Sequence, residues 1–222
     1  MDPHIAKRIR RCLVDLDGEC VEEAVEEALR AGASATEIVL GPMSEAMREI
    51  GKLYEEGEYF IAELIEAAEI FKGVMKRLEP LLRSEAAKAA AGGRRRLRIV
   101  IGTVKGDVHD IGKSLVRVML QAAGHEVIDL GVDVDAERFV RAVKEHRAEV
   151  LGMSALLTST AGYMKEVIEL LKRRGLRDRV FVIIGGAATT PEFAKKVGAD
   201  AWARNAVEAV RILNALAEKL GG

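Results

Sequence analysis

The sequence predicts an α/β protein with a helical N-terminal portion: a doubly wound, five-stranded parallel sheet preceded by a four-helix bundle. Three observations carry this. From residue 4 to about 82 apolar residues recur at three- and four-residue steps with no alternating stretch, the pattern of amphipathic helices. A small, polar, basic segment with Gly92-Gly93 followed by Arg94-Arg95-Arg96 then breaks the pattern. From Leu97 onward short β-rich apolar runs alternate with helical ones, which is how a parallel sheet covered on both faces reads. Five such βα units suit the flavodoxin-like strand order 2-1-3-4-5.

The helical stripes include Ala24, Ala28 and Leu29, then Met43, Met47 and Ile50, then Ile61, Leu64, Ile65 and Ala68. Breaks at Asp17-Gly18, Ala31-Gly32-Ala33-Ser34 and Glu56-Gly57 divide residues 1–82 into about four helices, enough for a small bundle. Residues 83–96 read as a linker, with the expected hinge at 83–93. In residues 97–222 the expected strands are Leu97–Gly102, Glu126–Leu130, Glu149–Met153, Val180–Ile184 and Ala199–Ala203. The expected helices cover about 111–123, 135–147, 160–174, 190–197 and 205–220.

The 222 residues hold 34 Lys+Arg against 35 Asp+Glu, a net charge of −1 that gives no electrostatic case for nucleic acid or anionic lipid as a partner. No apolar run approaches the roughly 18 residues a membrane helix needs. Met1-Asp2-Pro3-His4 opens into an amphipathic pattern rather than an apolar signal core, so a cytoplasmic location is expected. Cys12 and Cys20 are too few for a disulfide framework or a zinc quartet, and reduced thiols are the expectation.

In a doubly wound sheet ligands bind at the carboxyl ends of the strands near the switch point, which singles out the loops after strands 1, 3 and 4. The first runs Gly102-Thr103-Val104-Lys105-Gly106-Asp107-Val108-His109-Asp110-Ile111-Gly112, the second Ser154-Ala155-Leu156-Leu157-Thr158-Ser159-Thr160, the third Gly185-Gly186-Ala187-Ala188-Thr189-Thr190. An imidazole on a Gly-rich loop can reach a ligand, and an Asp two residues away can take its other ring proton, fixing the tautomer as in many metal-bound histidines. Taken alone, the same residues also read as a loop histidine followed by Asp110 as a helix N-cap. Gly185-Gly186 alone equally fits a tight βα turn.

Other chemistries fail. The glycines at 102, 106 and 112 do not make a dinucleotide fingerprint. Gly112-Lys113-Ser114 ends like a phosphate-binding loop, but Asp107 stands where its first Gly belongs. A phospho-acceptor domain would want Asp at the end of strand 3, where this chain has Met153-Ser154. The other histidines, His4, His125 and His146, lie on different elements, so no zinc set forms. A metal bound through one imidazole must bring most of its own ligands, which points to a tetrapyrrole-type metal with a vacant axial position.

Asp107-Val108-His109-Asp110-Ile111-Gly112, Ser154-Ala155-Leu156 and Gly185-Gly186 resemble the D-x-H-x-x-G, S-x-L and G-G set of cobalamin-binding domains. Gly57-Glu58-Tyr59-Phe60-Ile61-Ala62-Glu63-Leu64 resembles the cap-bundle signature of corrinoid proteins serving methanol, methylamine and methoxy-aromatic methyltransferase systems, and of cobalamin-dependent methionine synthase. The resemblance spans nearly the whole chain. It implies cobalamin as cofactor, bound base-off with His109 as the lower axial cobalt ligand. Asp107 would hydrogen-bond His109, and Thr160 would complete the relay. Gly106, Val108, Asp110, Ile111 and Gly112 complete the first motif's cofactor-binding stretch. Ser154, Leu156 and Thr158 would line the nucleotide-tail slot over Gly185, Gly186 and Ala187, and Tyr59, Phe60 and Leu64 would cover the methyl-bearing face. Two departures stand out: Ser114 where many relatives have Asn, and Trp202-Ala203-Arg204-Asn205 in place of a Tyr-containing segment.

The implied function is a methyl carrier, not catalytic alone, working between a substrate:corrinoid methyltransferase and a corrinoid:acceptor methyltransferase that uses tetrahydrofolate or coenzyme M, with a reductive activator. Two alternatives are a cobalamin-dependent sensor, which would need an output module, and the small subunit of an adenosylcobalamin mutase, which would not need a cap bundle.

Overall fold

The computed structural model describes residues 1–89 and 95–221, in two compact units, Met1–Glu85 and Ala86–Gly222. No helix among the described residues is long and apolar enough to cross a membrane.

In the first unit the capping residues set the helix boundaries. Asp2 accepts the His4 N–H ahead of α1 (Pro3–Val14), and Asp17 accepts the Cys20 N–H ahead of α2 (Gly18–Arg30). Ser34 and Glu37 form a reciprocal capping box that opens α3 (Ala35–Ile38). The chain then passes through a kinked turn at Val39–Met43 into α4 (Ser44–Glu55). Pro42 inside that turn cannot donate a backbone hydrogen bond, which explains a break that the apolar periodicity does not reveal. The last helix, α5 (Ile61–Ala89), buries Ala67, Phe71, Val74, Leu78 and Leu82 along one stripe.

Two expectations change here. Residues 83–89, read as linker, are helical, because Ala, Glu and Lys are good helix formers and Glu85 is anchored. Its carboxylate accepts the N–H groups of Ala35 and Thr36 and the Thr36 hydroxyl, at 2.7, 3.0 and 2.7 Å, and so caps the start of α3. The remainder of the expected hinge, including Gly92, Gly93 and Arg94, lies outside the described residues. Cys12 and Cys20 are joined in a disulfide rather than free: the turn between α1 and α2 brings their Cα atoms to 5.6 Å, within bridging range.

The second unit is a five-stranded parallel sheet in the order β2-β1-β3-β4-β5, as the alternating pattern predicts. The strands are β1 (Arg98–Thr103), β2 (Glu126–Asp129), β3 (Val150–Ser154), β4 (Phe181–Gly185) and β5 (Ala201–Ala203). The crossover segments contain α6 (Ile111–Ala122), α7 (Ala136–Glu145), α8 (Thr158–Ala161), α9 (Tyr163–Arg173) and α10 (Pro191–Val197), and α11 (Ala206–Gly221) follows β5. Val100, Leu151, Val182 and Ile184 face one core, with Phe139, Val143 and Ile168. Ile99, Ile101, Val150 and Ile183 face the other, with Leu120 and Leu213. Consecutive residues of β1 thus enter opposite cores, which is why the strands read as unbroken apolar runs.

Candidate metal and cofactor site

The register places Thr103 beside Ser154, and Ser154 beside Gly185, so the loops after β1, β3 and β4 leave the sheet side by side at its carboxyl edge. The loop after β1 turns at Gly106, whose φ of 81° lies in the left-handed region. Asp107 follows, its side chain fully buried. One carboxylate oxygen, Oδ1, accepts the backbone N–H of His109 at 3.0 Å and lies 2.7 Å from that residue's ring Nδ1. The other, Oδ2, accepts the backbone N–H groups of Leu156 and Leu157, at 2.8 and 3.3 Å, and the Thr160 hydroxyl at 2.9 Å. Thr160 also lies 3.0 Å from the Leu157 carbonyl. With a single hydroxyl proton it favours the ionised carboxylate, the stronger acceptor.

Burial alone would raise the Asp107 pKa, but the hydrogen bonds from His109, Leu156 and Thr160 overcome it and hold the carboxyl at about 2. The group is therefore a carboxylate at neutral pH, and Nδ1 must carry the proton it shares. Nε2, on a ring that is 46% exposed, has no protein partner among the described residues, and in the neutral tautomer it is the nitrogen that carries the lone pair. A buried anion thus holds the imidazole by Nδ1 and leaves Nε2 as the ring nitrogen without a protein partner, the arrangement a metal-bound histidine uses.

Thr103, fully buried, fixes the base of the loop by donating to the His109 carbonyl at 3.0 Å and lying 2.9 Å from the Ser154 hydroxyl. Around His109, Val108, Leu156 and Leu157 are exposed despite being apolar. Gly186 has φ 106°, and a Cβ there would lie 2.1 Å from the Ala155 carbonyl oxygen; one at Gly185 would lie 3.0 Å from that of Ala203. The loop after β4 therefore requires glycine at 186, leaves little room for a side chain at 185, and presents bare backbone at both. Thr189 donates to the Gly186 carbonyl at 2.7 Å and accepts the Trp202 indole N–H at 2.9 Å, so Trp202 braces this loop.

The structure gathers Gly106, Asp107, His109, Ser154, Leu156 and Thr160 into one network with Thr103, Leu157 and Asp133, which sequence reasoning did not single out. Gly185, Gly186 and Ala187 lie on the neighbouring loop, Thr158 is exposed at the start of α8, and Asp110, Ile111 and Gly112 begin α6. Tyr59, Phe60 and Leu64 belong to the helical unit. Phe60 is exposed, Leu64 is half-buried, and the half-buried Tyr59 donates its hydroxyl to the Val14 carbonyl at 2.6 Å. Among the described residues no group of three or more His, Cys, Asp or Glu converges to hold a bare metal ion.

Fold and loops together define an α/β domain suited to a metal that arrives with its own equatorial ligands. Residues 97–211 match the family described as B12 binding domain, and residues 5–79 match a second family of the same description. The chain belongs to the B12-binding corrinoid proteins, and its cofactor is a cobalamin or related corrinoid. It is 46% identical to dimethylamine corrinoid protein 3 of Methanosarcina acetivorans, over 86% of this chain and 87% of that one. The structure of the Methanosarcina barkeri monomethylamine corrinoid protein superposes with a TM-score of 0.86 at 32% identity, covering 97% of this chain and all of that one. A chain of the methanol:cobalamin methyltransferase complex from the same organism matches at 25% identity and a TM-score of 0.53, covering 98% of this chain and 81% of that one.

The residues fit the group. Nε2 of His109 is a nitrogen that would supply one donor to the metal, exposed Val108, Leu156 and Leu157 would offer apolar surface beside it, and a Cβ would fill the space kept open at Gly186.

Proposed function

We propose that this protein is a methyl carrier that holds its corrinoid base-off with His109 Nε2 as the lower axial ligand. The corrinoid cobalt supplies the nucleophile that takes up a methyl group and releases it again. The chain's own part is to present the axial nitrogen and control its strength. Asp107 keeps the Nδ1 proton, which makes Nε2 the donor atom and raises its basicity, while Thr160 and the Leu156 and Leu157 N–H groups temper the carboxylate's negative charge. Ser154, Leu156 and Thr158, with the backbone at Gly185, Gly186 and Ala187, line the slot for the nucleotide tail.

The methyl donor side is a substrate-specific corrinoid methyltransferase, in keeping with a relative found in a methanol:cobalamin methyltransferase complex. The acceptor side is a second methyltransferase using tetrahydrofolate or coenzyme M, with a reductive activator restoring the lowest oxidation state. The observation that carries the reading is the outward Nε2 tied through its ring to a buried carboxylate.

The test is the visible spectrum of protein reconstituted with hydroxocobalamin, beside His109→Ala treated identically. Stoichiometric cobalamin with a spectrum changed by the substitution supports the reading. Cobalamin that binds with identical spectra in both proteins overturns the His-on mode.

A further inference from the structure

We infer that Asp133, on the segment between β2 and α7, is a positioning residue for His109: it clamps the backbone on either side of the Gly106–Asp107 peptide bond and so sets where the Asp107 carboxylate, and through it the imidazole, is held. The inference rests on the reading of His109 as the cobalt ligand.

Asp133 is one of three non-glycine residues with positive φ among those described, at 52°. That conformation is uncommon outside glycine, though Asp tolerates it better than most residues. Here it turns two groups of one residue toward the same strand of chain. The Asp133 backbone N–H donates to the Asp107 carbonyl at 2.9 Å. Its carboxylate accepts the Gly106 N–H at 2.7 Å. Gly106 is itself left-handed, and Asp133 is the acceptor its N–H meets.

The flanking residues make the clamp rigid. Val134 donates to the Thr103 carbonyl and Thr103 to the Gly131 carbonyl, both at 3.0 Å, and Val104 pairs with Val134 as a parallel bridge. The segment after β2 thus continues the β1–β2 pairing beyond the strand ends. At its near end Asp129 accepts the Gly131 N–H at 2.9 Å and pairs with Lys113 of α6. Asp133 is exposed, and its side chain belongs to neither core of the sheet. Its two bonds bear only on the loop that carries the imidazole.

The experiment uses three full-length variants. Asp133→Asn keeps a side-chain carbonyl and tolerates positive φ; Asp133→Gly frees the backbone and removes the acceptor; Asp133→Ala removes the acceptor and keeps the strain. Each is read in two ways: by hydrogen exchange of the Gly106 amide in cofactor-free protein, and by the His-on to His-off ratio in the visible spectrum of the cobalamin-loaded form. The Gly and Ala variants should exchange the Gly106 amide faster and lower the His-on ratio roughly tenfold, with Asn close to wild type. A His-on ratio unchanged in the Gly variant overturns the inference. So does a loss in Asn as large as in Gly, or a loss in all three that merely follows the melting temperature. If wild type and His109→Ala share one spectrum, the ligand assignment itself fails, and the hydrogen exchange then reports on the clamp alone.

Discussion

The loop after β1 and the loop after β4 reach the same edge of the sheet by opposite means. The first is defined by what its side chains do: a buried carboxylate gathers two backbone amides of the neighbouring loop, a hydroxyl and an imidazole around itself. The second is defined by side chains it cannot have, since a Cβ at Gly186 would enter the Ala155 carbonyl. A metal ligand must be aimed, and aiming takes hydrogen bonds with angular preference. A polar tail needs room and backbone, and glycine provides both.

Four substitutions sharpen or break this contrast. The largest effect belongs to Gly186→Val, which combines a forbidden φ with a clash against backbone. We expect a loss of about 3 kcal/mol or more in denaturant unfolding of cofactor-free protein. A wild-type midpoint would mean that the loop yields easily and that its glycine is not structural.

Next comes Asp107→Ala, which strands the buried donors of the β3 loop at a cost of about 2 kcal/mol at neutral pH. Its pH dependence carries a definite sign. The carboxyl is held at about 2 in the folded chain against 3.8 in an unfolded one, so the unfolded state takes up its proton first as pH falls. The wild-type advantage should therefore be complete above about pH 4 and fade between pH 4 and pH 2, by about 2 kcal/mol. An advantage that persists to pH 2 would show that the carboxylate is not what stabilises the loop.

Thr189→Val removes the link between the Gly186 carbonyl and the Trp202 indole and should cost about 1 kcal/mol in the same unfolding measurement. A null result would put the bracing of the second loop in its backbone alone. The smallest change in stability should follow His109→Ala, within about 1 kcal/mol, because the ring is half-exposed and packs little. That variant separates the two functions of the first loop: it should lose the ligand's spectral signature while the network around Asp107 still folds.

Much of this architecture was legible in the chain itself. The change of period at Leu97 gave the sheet, and the strand order followed from the count of βα units. Asp107 and His109 stand out because their residue types carry the chemistry, and Thr160 through the resemblance; the structure joins the three by hydrogen bonds. What stayed hidden has a common physical character. The N–H of Leu157 is a backbone group, which every residue possesses, and the Asp133 carboxylate takes the backbone N–H of Gly106, so in both cases one partner gives no signal through its residue type. Thr103 and Thr189 look like ordinary strand-end threonines until their partners are known. The kink at Val39–Met43, where Gly41 leaves helical geometry beside Pro42, is hidden by the apolar period that runs through it. The helical continuation through residues 83–89 depended on Glu85 finding α3, a contact fifty residues away in sequence. The disulfide depended on how the α1–α2 turn aligned two cysteines eight residues apart.

The Asp107 carboxylate belongs to two stretches of chain at once. Its Oδ1 serves the imidazole, while its Oδ2 is gripped by Leu156, Leu157 and Thr160, as many as 53 positions downstream. Hydrogen bonds that share an anion compete for its charge: loosening the grip on one oxygen leaves more charge for the other. On the proposed reading of His109 as the cobalt ligand, an event that pulls on residues 156–160 would therefore be transmitted to its donor strength without any movement of the ring.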